Sequence, residues 1–427
     1  MNLVKSTYLV IFLLLGLLLS LFYSYLFLRF NKQTINGDGQ GYYSFLPAVF
    51  IYHDLTSPDL NLYEPDRQYL SFPAFHQVGN GEYINKYPIG LAISWLPAFL
   101  LAIIISAFLA LPIDGYNIIF QFLIGLSTPI YLSFGLGILL YILIKQLKLL
   151  PWVSWITIAV ILLGTNLINY GVAEVTMSHA YAFFLMALNI YLIIKWHQKP
   201  SNKLSLFLGL IMGLQTLVRL SNVIIILLWI FYGIWSRQSF SQKIKLWQKN
   251  YKRIVIILLG FLFLISFQLA YFYLITGKLW YFAYIGEYFN LSNPAWYGAL
   301  FSYRKGLLFW SPIIWLTALG VININKIKQW FWATLIFLTL GTYFIASWHM
   351  WWYGDSYGHR AFIDYYPLIA IWMAHGLTQI WKTKLKYLIL PVVIFLVSLN
   401  LFLTQKYWRG ELPRDNCTSK MFWEQFK

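Results

Sequence analysis

The chain has 427 residues, of which 60% are apolar and 11% charged, and it carries a formal net charge of +17. With several apolar runs reaching the ~20 residues that span a bilayer, this composition excludes a water-soluble globular fold. A single cysteine, Cys417, excludes an intrachain disulfide and any multi-cysteine metal site.

Residues 8–28 form the first apolar run, preceded by Lys5. It is too long for a signal-peptide core and no small-x-small cleavage site follows, so it is predicted to remain as an anchor helix. Just beyond it, "INGDGQGYYSFLP" at 35–47 sets Asp38 among glycines. Glycines tolerate unusual backbone angles and let a chain approach a ligand, so the carboxylate can be carried close to a substrate. An Asx turn ending the helix accounts for the same residues. Tyr42 and Tyr43 fit an interfacial aromatic belt and a sugar-stacking surface equally well. Lys86, in "YINKYPIGL", stands where the chain re-enters the interface, placed either to meet lipid phosphates or to snorkel.

Further apolar segments fall at 88–111, 117–144, 152–170, 179–194, 204–218, 222–235, 254–276, 306–322, 330–347, 361–378 and 387–404. The bases between them cluster at Lys5, Lys145 and Lys148, Lys195 to Lys203, Arg237 to Arg253, Lys326 and Lys328, and Lys382 to Lys386. None of the chain's 14 acids lies in those loops. The positive-inside bias therefore assigns the clusters to the cytoplasm and explains the basic balance without nucleic acid. With Lys5 inside and 29–87 outside, only one of 88–111 and 117–144 can cross. The prolines Pro88, Pro97 and Pro112 select 88–111 as the one that lies at the interface or dips in and returns. The inverse topology would move the acids of 29–87 to the cytoplasm and break the charge split. The expectation is one all-α polytopic membrane domain over 1–427 with about 11 crossings. Its outer cap comprises 29–111, the loops 277–305 and 348–360, and the tail 405–427.

Three outer positions carry further chemistry. Glu174, in "NYGVAEVTMSHAYAFF", precedes His179 by little more than one helical turn. Together they suit metal binding, proton relay or acceptor orientation, although Ser178 also reads as a plain N-cap. The short segments 204–218 and 222–235 meet at Arg219 and read as a hairpin whose tip faces outward. An arginine there is either functional or snorkelling. The stretch "SWHMWWYGDSYGHRAFIDYYP" at 347–367 places His349, Asp355, His359, Arg360 and Asp364 among aromatics. A belt explains the rings but not Gly354-Asp355 with Gly358-His359-Arg360, and an arginine beside glycines suits phosphate recognition. His349, Asp355 and His359 make a candidate metal set without a diagnostic spacing.

On these residues the chain resembles the GT-C glycosyltransferases, which take sugars from polyprenyl-phosphate carriers and include protein O-mannosyltransferases and lipid A aminoarabinose transferases. Asp38 matches the acid opening the first outer loop of that family, Lys86 with Pro88 its Lys-Pro entry to a juxtamembrane helix, and Glu174 an outer acid. Arg219 matches a basic residue at a hairpin tip, and "RKGLLFWSP" and "GDSYGHR…P" look like recurring late segments. Two departures are plain: Gly39 stands where relatives often carry a second acid, and Tyr87 separates Lys86 from Pro88. The resemblance implies a GT-C-like helical bundle with juxtamembrane helices, in the cell (inner) membrane, N-terminus cytoplasmic and active site outside. It implies inverting transfer from a polyprenyl-phosphate sugar to a glycan, lipid or protein acceptor. Asp38 would be the general base, and Lys86, Arg219 and Arg360 would bind the donor phosphate. Tyr42, Tyr43, Glu174, His179, Asp355 and His359 would bind or support the acceptor. No cofactor is required by that chemistry, and a divalent metal is left open. The alternatives are a transporter or flippase of lipid-linked sugars, and a glycan polymerase or ligase.

Overall fold

A computed structural model describes residues 2–30, 32–56, 74–79 and 81–427, with side chains from residue 13 onward. The Lys5 side chain and the loop acids Asp59, Glu64 and Asp66 lie outside the described residues. The chain is mostly helical. Among the described residues six helices are long and apolar enough to cross a bilayer: Gly90–Phe108, Ile118–Gln146, His179–Gln198, Tyr251–Thr276, Lys328–Ser347 and Lys386–Trp408. The first helix runs Asn2–Arg29, and shorter apolar helices cover other expected segments, at Pro151–Leu163, Asn202–Val218, Leu220–Phe231, Pro312–Val321 and Tyr366–Ile380. The sequence run 152–170 is uninterrupted in hydropathy but not in backbone. Its helix stops at Leu163, and Thr165 Oγ1 both donates to the Ile161 carbonyl (2.6 Å) and accepts from Leu167 N (3.2 Å) before a new turn begins.

Helix His179–Gln198 is the most enclosed of the six, held between Ile118–Tyr141 and Asn202–Val218. Two of its polar side chains donate to neighbours: Asn189 Nδ2 to Gln215 Oε1 (2.6 Å) and Trp196 Nε1 to Ser205 Oγ (2.8 Å). Asn202–Val218 in turn lies very close to Tyr251–Thr276, because a Cβ at Gly209 would sit 2.1 Å from the Ile257 carbonyl oxygen. Small residues at such a crossing let dispersion contacts replace the missing hydrophobic drive within a bilayer.

The basic loops gather at one end of this bundle. Gln198 Nε2 donates to Gln146 Oε1 (3.2 Å), Gly233 N to the Gln329 carbonyl (2.9 Å), Lys328 lies 3.4 Å over the Trp235 ring, and Trp152 meets Trp381 at 4.1 Å. Helix Gly90–Phe108 does not join the two ends. It starts where Ile89 N bonds Gln268 Oε1 (2.9 Å) and finishes where Ser106 meets Asn117 (2.9 Å) at the head of Ile118–Tyr141. That head packs on the C-terminal half of the first helix, where Tyr23 donates to the Phe122 carbonyl (3.2 Å). Both ends of Gly90–Phe108 thus lie in the half of the bundle remote from the basic loops.

The described part of the segment between the first helix and Gly90–Phe108 departs from the all-α expectation. Phe75–Gln77 and Tyr83–Asn85 pair antiparallel, Phe75 opposite Asn85, and the ladder is extended by Lys86 N to the Ala74 carbonyl (2.9 Å). The tight reversal uses Gly81 at φ 87°. The hairpin delivers Lys86 and Tyr87 to a fixed place, since Asn85 N is anchored on Tyr271 Oη (2.8 Å).

Candidate functional site

The end opposite the basic loops contains a cavity of about 1420 Å³. Asp38 opens a short helix, Asp38–Tyr43, after Gly37 at φ 52°, ψ −133°, a region open essentially to glycine. The neighbouring glycines are there for contact. A Cβ at Gly39 would sit 2.4 Å from Thr176 Oγ1 and one at Gly41 2.1 Å from the Tyr87 ring, so the helix can press between the 173–178 turn and the hairpin.

That pressing brings Asp38 to its partners. Tyr87 Oη donates to Asp38 Oδ1 (2.7 Å), and Arg360 Nη2 lies 3.0 Å from Oδ2. Burial would push the Asp38 carboxyl up, but the Arg360 guanidinium, the Tyr87 hydroxyl and the more distant Lys86 and His179 outweigh it and hold it below the ordinary carboxylate value. Burial and the Asp38 charge push the Tyr87 phenol far above its ordinary value, so it remains a donor. Arg360 is under-satisfied. Its Nη1 finds only the thioether of Met177 (3.2 Å), a weak acceptor, and its buried Nε has no hydrogen-bond partner among the described residues.

A second ion pair stands beside the first. Arg219, in extended backbone between Asn202–Val218 and the turn that follows, reaches Asp364 Oδ2 (3.1 Å) and His179 Nδ1 (3.1 Å) and lies 5.5 Å from the Tyr353 ring. Asn222 Nδ2 also donates to Asp364 Oδ2 (2.9 Å). Arg219 is therefore held inside the site. On the far wall Lys86 Nζ lies 2.7 Å from Glu287 Oε1 and faces the rings of Tyr87 and Tyr284. Glu174 Oε1 accepts from Tyr407 (2.7 Å).

No family model matches this chain, and no curated protein matches it. What the site can do must come from its own geometry.

Of the residues expected from sequence, Asp38, Tyr42, Lys86, Glu174, His179, Arg219, Asp355 and Arg360 line the one cavity. Asp355 is exposed there, and Tyr42 packs on Tyr87 with ring centroids 4.6 Å apart. Two others stand elsewhere. Tyr43 is fully buried among Trp95, Phe99 and Tyr116, its hydroxyl on the Gly115 carbonyl, because consecutive helical residues point to different faces. His359 lies behind the wall against Phe362 and Tyr353, and burial pushes its imidazole down to about 3 and so keeps it neutral. The set His349, Asp355 and His359 is not assembled, since His349 instead stacks on Tyr288. Among the described residues no group of three or more His, Cys, Asp or Glu is placed to hold a metal ion. Sequence reasoning missed Tyr87, Glu287, Asn222 and Tyr407, and it noted Asp364 without giving it a role. Glu287 lies in a loop with no local motif.

Proposed function

We propose that the chain is an integral membrane glycosyltransferase that moves a sugar from a polyprenyl-phosphate carrier to an acceptor at the outer face of the membrane, with inversion at the anomeric carbon. The observation that carries this reading is the Asp38–Arg360 pair inside the cavity, with guanidinium donors left unfilled. An acceptor hydroxyl attacks the anomeric carbon and its proton passes to Asp38. The bond from that carbon to the phosphate oxygen breaks, and the electron pair stays on the phosphate. As Asp38 is neutralised, its hold on Arg360 weakens just as negative charge grows on the leaving phosphate. Arg360 can then turn its donors to that phosphate, with Arg219 and Lys86 adding positive potential. No second carboxylate contacts Asp38 among the described residues, in keeping with a single displacement.

The membrane arrangement that goes with this function has a cytoplasmic N-terminus, basic loops inside and the cavity outside, with about 11 crossings: the first helix, the five long helices other than Gly90–Phe108, and five shorter ones that include Tyr366–Ile380. Gly90–Phe108 serves as a juxtamembrane helix, which its two ends in one half of the bundle support. The carrier is a lipid, so the reactive bond stays at interface height and the protein must bring its base there.

The test is transfer by the purified chain from radiolabelled polyprenyl-phosphate sugars to a panel of acceptors. Wild type releases label from at least one carrier, and Asp38→Asn retains carrier binding but loses roughly 10²–10⁴-fold in rate. Movement of intact labelled carrier across vesicles without release, undiminished in Asp38→Asn, overturns the proposal in favour of a flippase.

A further inference from the structure

Four cations lining the cavity already have a carboxylate: Lys86 has Glu287, Arg219 has Asp364, Arg360 has Asp38 and, more loosely, Arg409 has Glu411 at 3.9 Å. Arg414 does not. It lines the same cavity with its guanidinium 5.8 Å from the Tyr407 ring, and no carboxylate pairs with it among the described residues.

Its backbone, by contrast, is fastened tightly. The Arg414 carbonyl accepts from Lys305 Nζ (2.6 Å) and from Ser356 N (3.0 Å). The next residue, Asp415, is gripped through two bonds by Arg304 (2.9 and 3.1 Å), which lies 3.5 Å over the Trp352 ring. Lys305 is fully buried, and burial pushes its ammonium down to about 8. Burying an ammonium is costly, and what this one does is fix the tail against the 354–358 loop. The fixed backbone roots an exposed side chain at the cavity rim, and a guanidinium there without a counter-charge can meet an anion from outside the protein.

The hydroxyl of Tyr407 leads to an unfilled acceptor. Tyr407 Oη donates to Glu174 Oε1 (2.7 Å), while Glu174 Oε2 is buried without a hydrogen-bond partner among the described residues. A buried carboxylate oxygen in that state awaits a donor.

We propose that Glu174, Tyr407 and Arg414 form a second subsite, which takes an acceptor bearing an anionic group, carboxylate or phosphate, close to its hydroxyls. Arg414 holds the anion, and Glu174 Oε2 accepts from a neighbouring hydroxyl. This rests on the transfer reading above, because it assigns the acceptor end of the same cavity.

The full chain in detergent micelles is titrated by tryptophan fluorescence with glucuronate, glucose 6-phosphate and glucose, and in parallel with farnesyl phosphate as a donor probe. Wild type should bind at least one anionic sugar about tenfold or more tighter than glucose, as expected for one charge-assisted contact. The better of the two identifies the anion as carboxylate or phosphate. Arg414→Gln should erase that preference while farnesyl phosphate binding changes by less than about twofold. Glu174→Gln should weaken all three sugars and keep the anion preference. Equal or absent binding of the three sugars by wild type, or a preference that survives Arg414→Gln, overturns the subsite. Loss of farnesyl phosphate binding in wild type tells instead against the donor assignment, whatever the sugars do.

Discussion

The two ends of the bundle bury cations in opposite ways. At the basic end Lys243 is enclosed with no carboxylate paired to it among the described residues. Its ammonium donates to the Trp229 and Tyr232 carbonyls (2.9 Å each) and meets His197 Nε2, an arrangement that closes on itself. At the other end Arg219 and Arg360 are paired with Asp364 and Asp38 around open volume, and Arg360 keeps donors to spare. A cation satisfied by carbonyls serves the fold, whereas one poised between a carboxylate and an empty space is available for chemistry. The contrast explains why charge count alone is a poor guide to function in a membrane protein.

Substitutions should separate the two ends. The largest effect is expected for Asp38→Asn, with the 10²–10⁴-fold fall in transfer already given. Arg360→Gln should follow, with about 10²–10³-fold less transfer. It also removes the cation that outweighs burial at Asp38, so the carboxyl rises. Because the base works only when ionised, the acid limb of the rate profile should move to higher pH. An unmoved limb would mean that Asp38 is not the base. Gly41→Ala drives a methyl into the Tyr87 ring and should cost about 1–3 kcal/mol together with much of the activity. At the basic end Gly233→Ala, where nothing lies within 4 Å but φ is 85°, should cost stability while transfer by the folded fraction is retained. The smallest effect is expected for Lys243→Met. Burial pushes the Lys243 ammonium down to about 7 against an ordinary 10.5. The unfolded chain therefore binds the extra proton between those values, and wild-type stability should gain as pH rises through that window. Thermal melts of the methionine variant should lack that contribution, at unchanged transfer rate.

Much of this was legible in the sequence, and the reasons differ by feature. Membrane embedding and the gathering of bases follow from hydropathy and loop charge, which are local. Asp38, Lys86, Arg219 and Arg360 were each marked by an unusual neighbour, a glycine, a proline or a break between short helices, and Glu174 by its place about one turn before His179; all five meet in the cavity. Their partners were not legible. Glu287 and Asp364 stand far along the chain from Lys86 and Arg219, and nothing in their own surroundings announces the pairing. Tyr43 was misplaced because adjacent tyrosines look alike in sequence, while one helical step turns the second into the core. The length of apolar runs also overstated helix length, as Thr165 shows by interrupting a run that hydropathy treats as continuous.

The wall formed by residues 405–414 has a bearing on biogenesis. A nascent chain inserted only as far as Tyr366–Ile380 already holds the aspartate and both buried arginines, yet one side of their chamber stands open to water. Water there would screen the charges and compete for every donor. If the chamber acts as proposed, competence depends on docking a late-translated segment, and half-built copies stay inactive.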